Sequence, residues 1–312
     1  MVNDQSNHPS DLSLDRARQA RRFIPDVFLD TPQYEDDGLS AALACPVTVK
    51  VESLNPVRSF KGRGVGFALR DLPPGGTVVC SSSGNFGQAV AFLGRLRGAK
   101  VRIHTPLQLN PVKRARMLAF GADLVASDGD LDDARRAAVQ DANTTGAHLI
   151  VDGVDPAVAE GAATIAEELI GHDTFDAIVA PVGDGSLICG LALWLRAHAP
   201  RTRIIGVNPS STPAMYESWR AGRPVEVESS SGFAEGISVP CPHPEALARV
   251  TRLVDDIVLV NDQELREGMD LIATHLALLA EPAGAAGIAA IAHRRVHGDR
   301  IATIISGANR HP

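Results

Sequence analysis

Apolar, β-branched runs alternate with stretches of helical spacing through most of the chain. The runs predict strands at Val47 to Val51, Thr77 to Cys80, Lys100 to His104, Leu149 to Val151, Ala177 to Ala180, Arg203 to Val207, Ile257 to Val260 and Ile301 to Ile305. Between them, Phe86, Ala89, Val90, Leu93 and Leu96 fall at steps of three and four, which predicts one buried helix face. Asp262 opens a long helical pattern with Glu264 and Glu267 in its first turns, where acids suit the helix dipole. Short buried strands alternating with helices imply an α/β fold built on a mainly parallel sheet covered on both faces. The Pro73-Pro74-Gly75-Gly76 turn opens a block that can form its own small sheet. We therefore expect residues 72–149 to make a small mobile domain, and residues 1–71 with 150–312 a larger one. Ligands of such folds sit at the carboxyl ends of strands, often between domains.

Composition narrows the function. A chain of 312 residues can bury a sizeable core in two ordinary domains. Aromatics make up only 4%, so Ala, Gly, Val and Leu carry the packing, which suits close helix-on-sheet contact and not nucleic-acid stacking. A net charge of -7 likewise argues against nucleic-acid partners. The basic cluster Arg16, Arg18, Arg21 and Arg22 is flanked by acids and reads as a solvated helix face. The first residues are polar and acidic, without the apolar segment of a secretory signal. No uncharged apolar run reaches the roughly 18 residues of a membrane span. We expect a cytoplasmic protein with no membrane partner. Cys45, Cys80, Cys189 and Cys241 are far apart and form no CxxC pair, which reads as reduced thiols. The histidines show no metal-ligand spacing, and no metal is expected.

Three strand-to-helix junctions could carry chemistry. In SFKGRG, Ser59 to Gly64, Lys61 lies between Phe60 and a run of glycines. Desolvation there lowers a lysine pKa, by up to roughly 3–5 units at full burial, and a neutral amine forms a Schiff base with a carbonyl. A surface lysine at a helix start is the plainer alternative. In SSSGNFGQAVA, Ser81 to Ala91, small residues lead into a helix whose first amides can cradle a carboxylate or phosphate; a plain helix cap needs fewer of them. In PVGDGSLICG, Pro181 to Gly190, glycines and Ser186 again suit an anion at a helix start. The segment is neither GxGxxG nor a nucleotide P-loop, which counts against a dinucleotide oxidoreductase. Two anion cradles and one activatable lysine, all at strand ends, suit a phosphate-bearing carbonyl cofactor joined to an amino acid.

At these residues the chain resembles the fold-type-II pyridoxal-phosphate enzymes, closest to serine/threonine dehydratase and serine racemase. The resemblance is carried by ESLNPVRSFKGRG, SSGNFGQAVA, EGAATIAEEL, PVGDGSLICG, FAEGISV, LVDDIVLV, EPAGAAGIAAI and SGAN, in that order. It implies a tryptophan-synthase-β-like fold of two domains, each a mainly parallel sheet flanked by helices. It implies pyridoxal 5'-phosphate as cofactor, an amino-acid substrate and a homodimer. By resemblance, Lys61 joins the cofactor and later takes the α-proton, Phe60 packs near it, and Asn85 bonds its ring hydroxyl. Ser82, Ser83, Gly84, Asn85 and Phe86 match the loop that holds the substrate carboxylate. Gly183, Asp184, Gly185, Ser186 and Leu187 match the phosphate loop. Ser306 matches the residue facing the pyridine nitrogen, where a neutral hydroxyl favours prompt loss of a β-substituent over transamination. Ser83 matches the serine that serves serine racemase as its second base.

The implied reaction is dehydration and deamination of L-threonine or L-serine to a 2-oxo acid and ammonia. β-Replacement (cysteine or diaminopropionate synthase-like, threonine synthase-like) and serine racemisation stay open as alternatives. Some residues depart from the family pattern. The phosphate loop, usually near-pure glycine, carries Asp184, which is expected to point away or cap the following helix. Phe86 stands where dehydratases often carry histidine. Glu235 falls near a position of a cation site in some relatives and reads equally as a solvent-facing carboxylate; Glu281 reads as structural. No room is expected after SGAN for a C-terminal regulatory domain.

Overall fold

The computed structural model describes residues 11–228 and 230–310. Among them the strands, in chain order, are β1 (Gln33–Glu35), β2 (Val47–Val51), β3 (Thr77–Ser81), β4 (Lys100–Pro106), β5 (Asp123–Ser127), β6 (His148–Leu149), β7 (Ala177–Pro181), β8 (Arg203–Pro209), β9 (Asp256–Val260) and β10 (Ile301–Ile305). They build a six-stranded sheet in the order β1-β2-β10-β7-β8-β9 and a four-stranded sheet in the order β5-β4-β3-β6. Every ladder is parallel except that of β1 on β2. The strands β2, β7 and β10 are buried along their whole length; β7 and β10 read as near-continuous apolar runs, whereas β2 alternates valine with Thr48 and the ion-paired Lys50. The result is an α/β fold of two parallel-sheet units flanked by helices.

Each expected strand has a counterpart, though the one expected at Leu149 to Val151 is the two-residue β6, which shares only Leu149 with it. Two more were not expected. The strand β1 has only three residues, and β5 lies at a sheet edge with mostly exposed or half-buried side chains, so neither leaves a hydrophobic signature. The helix Asn85–Leu96 buries Phe86, Ala89, Val90 and Leu93 as its spacing requires, but Leu96 at its last turn is 56% exposed. The N-terminal arginines differ from a solvated face. Arg16 forms an ion pair with the buried Glu160 at 2.6 Å, and Arg21 reaches the buried Glu168 at 3.3 Å. Two of the four thus dock the helix Leu14–Ala20 onto the helix Pro156–Ile170.

The glycines of KGRGVG serve packing. A Cβ on Gly62 would lie 2.2 Å from the Phe28 ring, and one on Gly64 would lie 2.5 Å from the Val158 carbonyl oxygen. From the other side, a Cβ on Gly161 would lie 2.6 Å from the Arg63 carbonyl oxygen. The helix Lys61–Ala68 therefore meets the helix Pro156–Ile170 backbone to backbone, and this contact sets the height of Lys61. Overpacking at such a contact costs about 1–3 kcal/mol. Gly64→Ala is expected to lose that much in urea unfolding, and an unchanged midpoint would exclude the backbone contact.

Beneath Lys61 lies a charged network. Arg63 is fully buried and holds Glu52 and Glu168 with paired hydrogen bonds of 2.6 to 2.8 Å. Lys50, equally buried, reaches the same Glu168 at 2.6 Å and the Thr31 carbonyl at 2.7 Å. Burial alone would raise the Glu168 carboxyl, but Arg63 and Lys50 hold it at about 2. A carboxyl depressed on folding contributes stability that is present above its unfolded value and lost as pH falls through the folded one. Here that window runs from roughly pH 4.3 down to about 2, and roughly 3 kcal/mol is involved at one unit per 1.36 kcal/mol. Acid unfolding followed by circular dichroism should show this loss in the wild type, with a flatter profile in Glu168→Gln.

Candidate active site

The carboxyl ends of β2, β3, β6, β7 and β10 converge on a cavity of about 360 Å³ whose walls draw on both sheets. Lys61 opens its helix after the loop that follows β2. Its position is fixed against β10, because the Phe60 amide donates to the Ser306 carbonyl at 3.0 Å and Ser59 bridges Gly307. The Lys61 Nζ stands 4.6 Å from the centre of the Phe60 ring and 5.9 Å from that of Phe86. It is not isolated among apolar groups, as its surroundings in the sequence suggest: it donates to Asp152 Oδ2, at the end of β6.

The segment Ser82 to Phe86 follows β3. The Ser82 hydroxyl is turned inward and accepts from the amides of Gly84 and Gly87, at 3.0 and 2.9 Å. Ser82 is thus committed to shaping the loop. The amides of Asn85 and Phe86, in the first turn, are not used inside the helix. The Asn85 amide group is held from both ends. Its Nδ2 donates to Glu281 at 2.6 Å, and its Oδ1 accepts from Asn309 at 2.8 Å. Glu281 is buried, and burial pushes its carboxyl up to about 7 against the pull of Lys113 and Asn85. Ser83 is half-buried on the cavity wall.

The segment Gly183 to Leu187 joins β7 to the helix Ser186–His198. Gly185 is in the left-handed region at φ +87°, so the chain can turn its amides toward the cavity. The Ser186 hydroxyl donates to Asp152 Oδ1 at 2.6 Å and accepts from the Gly153 amide at 3.1 Å. Asp184 neither points away nor caps the helix. It lines the cavity and lies 3.4 Å from Arg135 of the helix Leu131–Thr145. Burial first and the nearby Asp152 charge second raise the Asp184 carboxyl above the usual range. Burial works the same way on Asp152, yet the Lys61 ammonium and the Ser186 hydroxyl hold that carboxyl below it.

Every residue singled out in the sequence lines this one cavity: Phe60 and Lys61, the segment Ser82 to Phe86, the segment Gly183 to Leu187, and Ser306. Asp152, Lys113 and Arg135 also line it and were not anticipated. Asp152 had a signal, an acid and a glycine at the end of an apolar strand. Lys113 and Arg135 stand on helices and carry none. Glu235 does not face solvent alone, since it accepts from Lys113 at 2.7 Å. Among the described residues no group of three His, Cys, Asp or Glu side chains could hold a metal, and no helix is long and apolar enough to cross a membrane.

The arrangement fits a phosphate-bearing aldehyde. An amine faces the cavity beside an aromatic ring, helix starts offer amides at two ends, and the buried Ser306 stands on the wall. One feature opposes it, the two carboxyls at the phosphate end. Fold and site together define a fold-type-II pyridoxal-phosphate enzyme.

Comparison with known proteins agrees. The chain belongs to the family described as pyridoxal-phosphate dependent enzyme, whose sequence pattern matches residues 24–307. It is 30% identical to an L-threonine ammonia-lyase of Thermotoga maritima over 303 residues, 96% of this chain and 76% of that one. It is 33% identical to a biosynthetic L-threonine dehydratase of Mycobacterium tuberculosis over 313 residues, 96% of this chain and 72% of that one. Among solved structures, a threonine deaminase of T.th. superposes with a TM-score of 0.89 at 29% identity, covering 96% of this chain and 98% of that one. Maize serine racemase superposes with a TM-score of 0.88 at 26% identity, covering 96% and 94%.

Proposed function

We propose that this chain is a lyase that dehydrates and deaminates a hydroxyamino acid, L-threonine or L-serine, to a 2-oxo acid and ammonia. The observation that carries the reading is the position of the Lys61 amine. It stands in one cavity with two helix starts, one at Asn85 and one at Ser186. Pyridoxal phosphate, when bound, supplies the electron sink for bond breaking at the α- and β-carbons.

The residues do the rest. Lys61 holds the cofactor and takes the α-proton, with Asp152 beside it to balance the charge of the ammonium. The amides of Asn85 and Phe86 hold the substrate carboxylate at a helix N-terminus, with Ser83 and Gly84 alongside. Glu281 and Asn309 fix the Asn85 amide so that one N–H remains for the cofactor's ring hydroxyl. The amides from Gly183 to Leu187 hold the phosphate, and Ser306 faces the pyridine nitrogen. Lys113 with Glu235 and Arg135 with Asp184 tie the helices of the four-stranded sheet to the other wall, which excludes water from the cavity. In this reading residues 72–149 are the domain that closes, and the protein works as a cytoplasmic homodimer on free amino acids.

The test is to supply the purified protein with pyridoxal phosphate and a panel of hydroxyamino acids, and to identify products by mass spectrometry. Oxobutanoate from threonine or pyruvate from serine, with ammonia, is the expected result. A lysine-bound cofactor that yields neither oxo acid from any member would sink the deaminase reading.

A further inference from the structure

The phosphate end of the cavity has an unusual charge balance. Asp152 and Asp184 face each other there, from the end of β6 and the end of β7. The cations that face them are Lys61, which donates to Asp152, and Arg135, which lies 3.4 Å from Asp184. His243, just ahead of the helix Pro244–Leu253, acts on Asp184 from a third side, and the Ser186 hydroxyl is spent on Asp152. Arg135 is shared with Asp132, 2.8 Å away, so three carboxylates face two cations. A phosphate carrying about two negative charges at pH 7 adds to that excess, because both cations are already paired.

We propose that the cofactor's phosphate enters this site together with one proton, carried by Asp184. Asp152 keeps the Ser186 hydroxyl at 2.6 Å after Lys61 is taken up by the cofactor, whereas Asp184 has only Arg135 at 3.4 Å, itself shared with Asp132, so the proton goes to the carboxyl with the weaker partner. Once neutral, Asp184 stops repelling the phosphate, and its O–H becomes a donor on the wall of the cradle. The raised affinity of Asp184 for a proton before any ligand arrives agrees with this assignment. The inference rests on the cofactor assignment made above and adds a role for a residue that the family pattern would have as glycine.

The experiment compares pyridoxal phosphate with pyridoxal, which can form the same link to Lys61 but has no phosphate. Binding to the cofactor-free protein is followed by visible absorbance from pH 7 to pH 9. Protons are counted by calorimetry in buffers of different ionisation heat. Pyridoxal phosphate should take up about one proton more than pyridoxal, and its Kd should rise about tenfold more per pH unit. In Asp184→Asn the extra proton and the extra slope should both vanish. Equal proton uptake for the two compounds in the wild type overturns the inference, whether or not the variant folds. So does a slope that survives in Asp184→Asn, or a divalent cation that must be added in place of the proton. Absorbance of a lysine-bound cofactor without the extra proton leaves the cofactor assignment standing, whereas no such absorbance with either compound removes both.

Discussion

Replacing Lys61 with arginine should cut turnover of any hydroxyamino acid by on the order of 10³-fold or more and leave the fold intact. Arginine keeps a positive charge beside Asp152, so the buried carboxylate is not stranded. Its guanidinium, however, stays protonated and neither joins an aldehyde nor takes a proton from carbon. The chemical and structural roles of the position therefore separate in this one variant. Far-ultraviolet circular dichroism and the melting temperature should match the wild type, while the visible band of bound cofactor and the oxo-acid product both disappear. Lys61→Ala makes a useful contrast. It loses the same chemistry but also leaves Asp152 without its cation, so it should melt at a lower temperature. Retention of turnover in Lys61→Arg would remove Lys61 from the reaction and with it the proposed function.

The fold was largely legible because the strands that matter are buried on both faces and most leave short, near-continuous apolar runs, as in AIVAP and IATII. Edge elements such as β1 and β5 bury too little to write a pattern. The cavity was legible wherever a residue sits in a strand-to-helix turn, since turns have local chemistry: glycine, serine and asparagine at a helix start. The glycines around Lys61 were legible as a cluster, but their reasons are distant in sequence: the Phe28 ring at Gly62, and at Gly64 a helix that follows the whole four-stranded sheet, at Val158 and Gly161. Lys113, Arg135 and Glu281 could not be placed in advance, because their partners lie tens to hundreds of residues away. Asp184 shows the same limit. Its neighbours in sequence suggest a helix cap, whereas its neighbours in space are Arg135 and Asp152.

Arg63→Met should destabilise the protein by about 3–5 kcal/mol, the usual cost of removing one partner from a buried ion network. Methionine fills much of the volume, so the loss is electrostatic rather than a cavity. With Arg63 gone, Glu168 keeps Lys50 and Arg21, but Glu52 keeps only the Thr31 hydroxyl, and a buried negative charge is left without a cation. Neutralising that excess should restore part of the loss. The double variant Arg63→Met with Glu52→Gln is therefore expected to be more stable than Arg63→Met by itself, although Glu52→Gln alone destabilises the wild type. Urea unfolding of the four proteins closes the cycle, and additive effects would show that the network contributes nothing as a unit. The site should feel the same change. Arg63 follows Lys61 by two residues on the same helix, so a relaxed helix moves the amine relative to Ser306 and Asp152. Cofactor affinity should accordingly fall in Arg63→Met under conditions where the variant is still folded, and recover in the double variant. Stability that recovers without affinity would mean that the network supports the core but does not set the lysine.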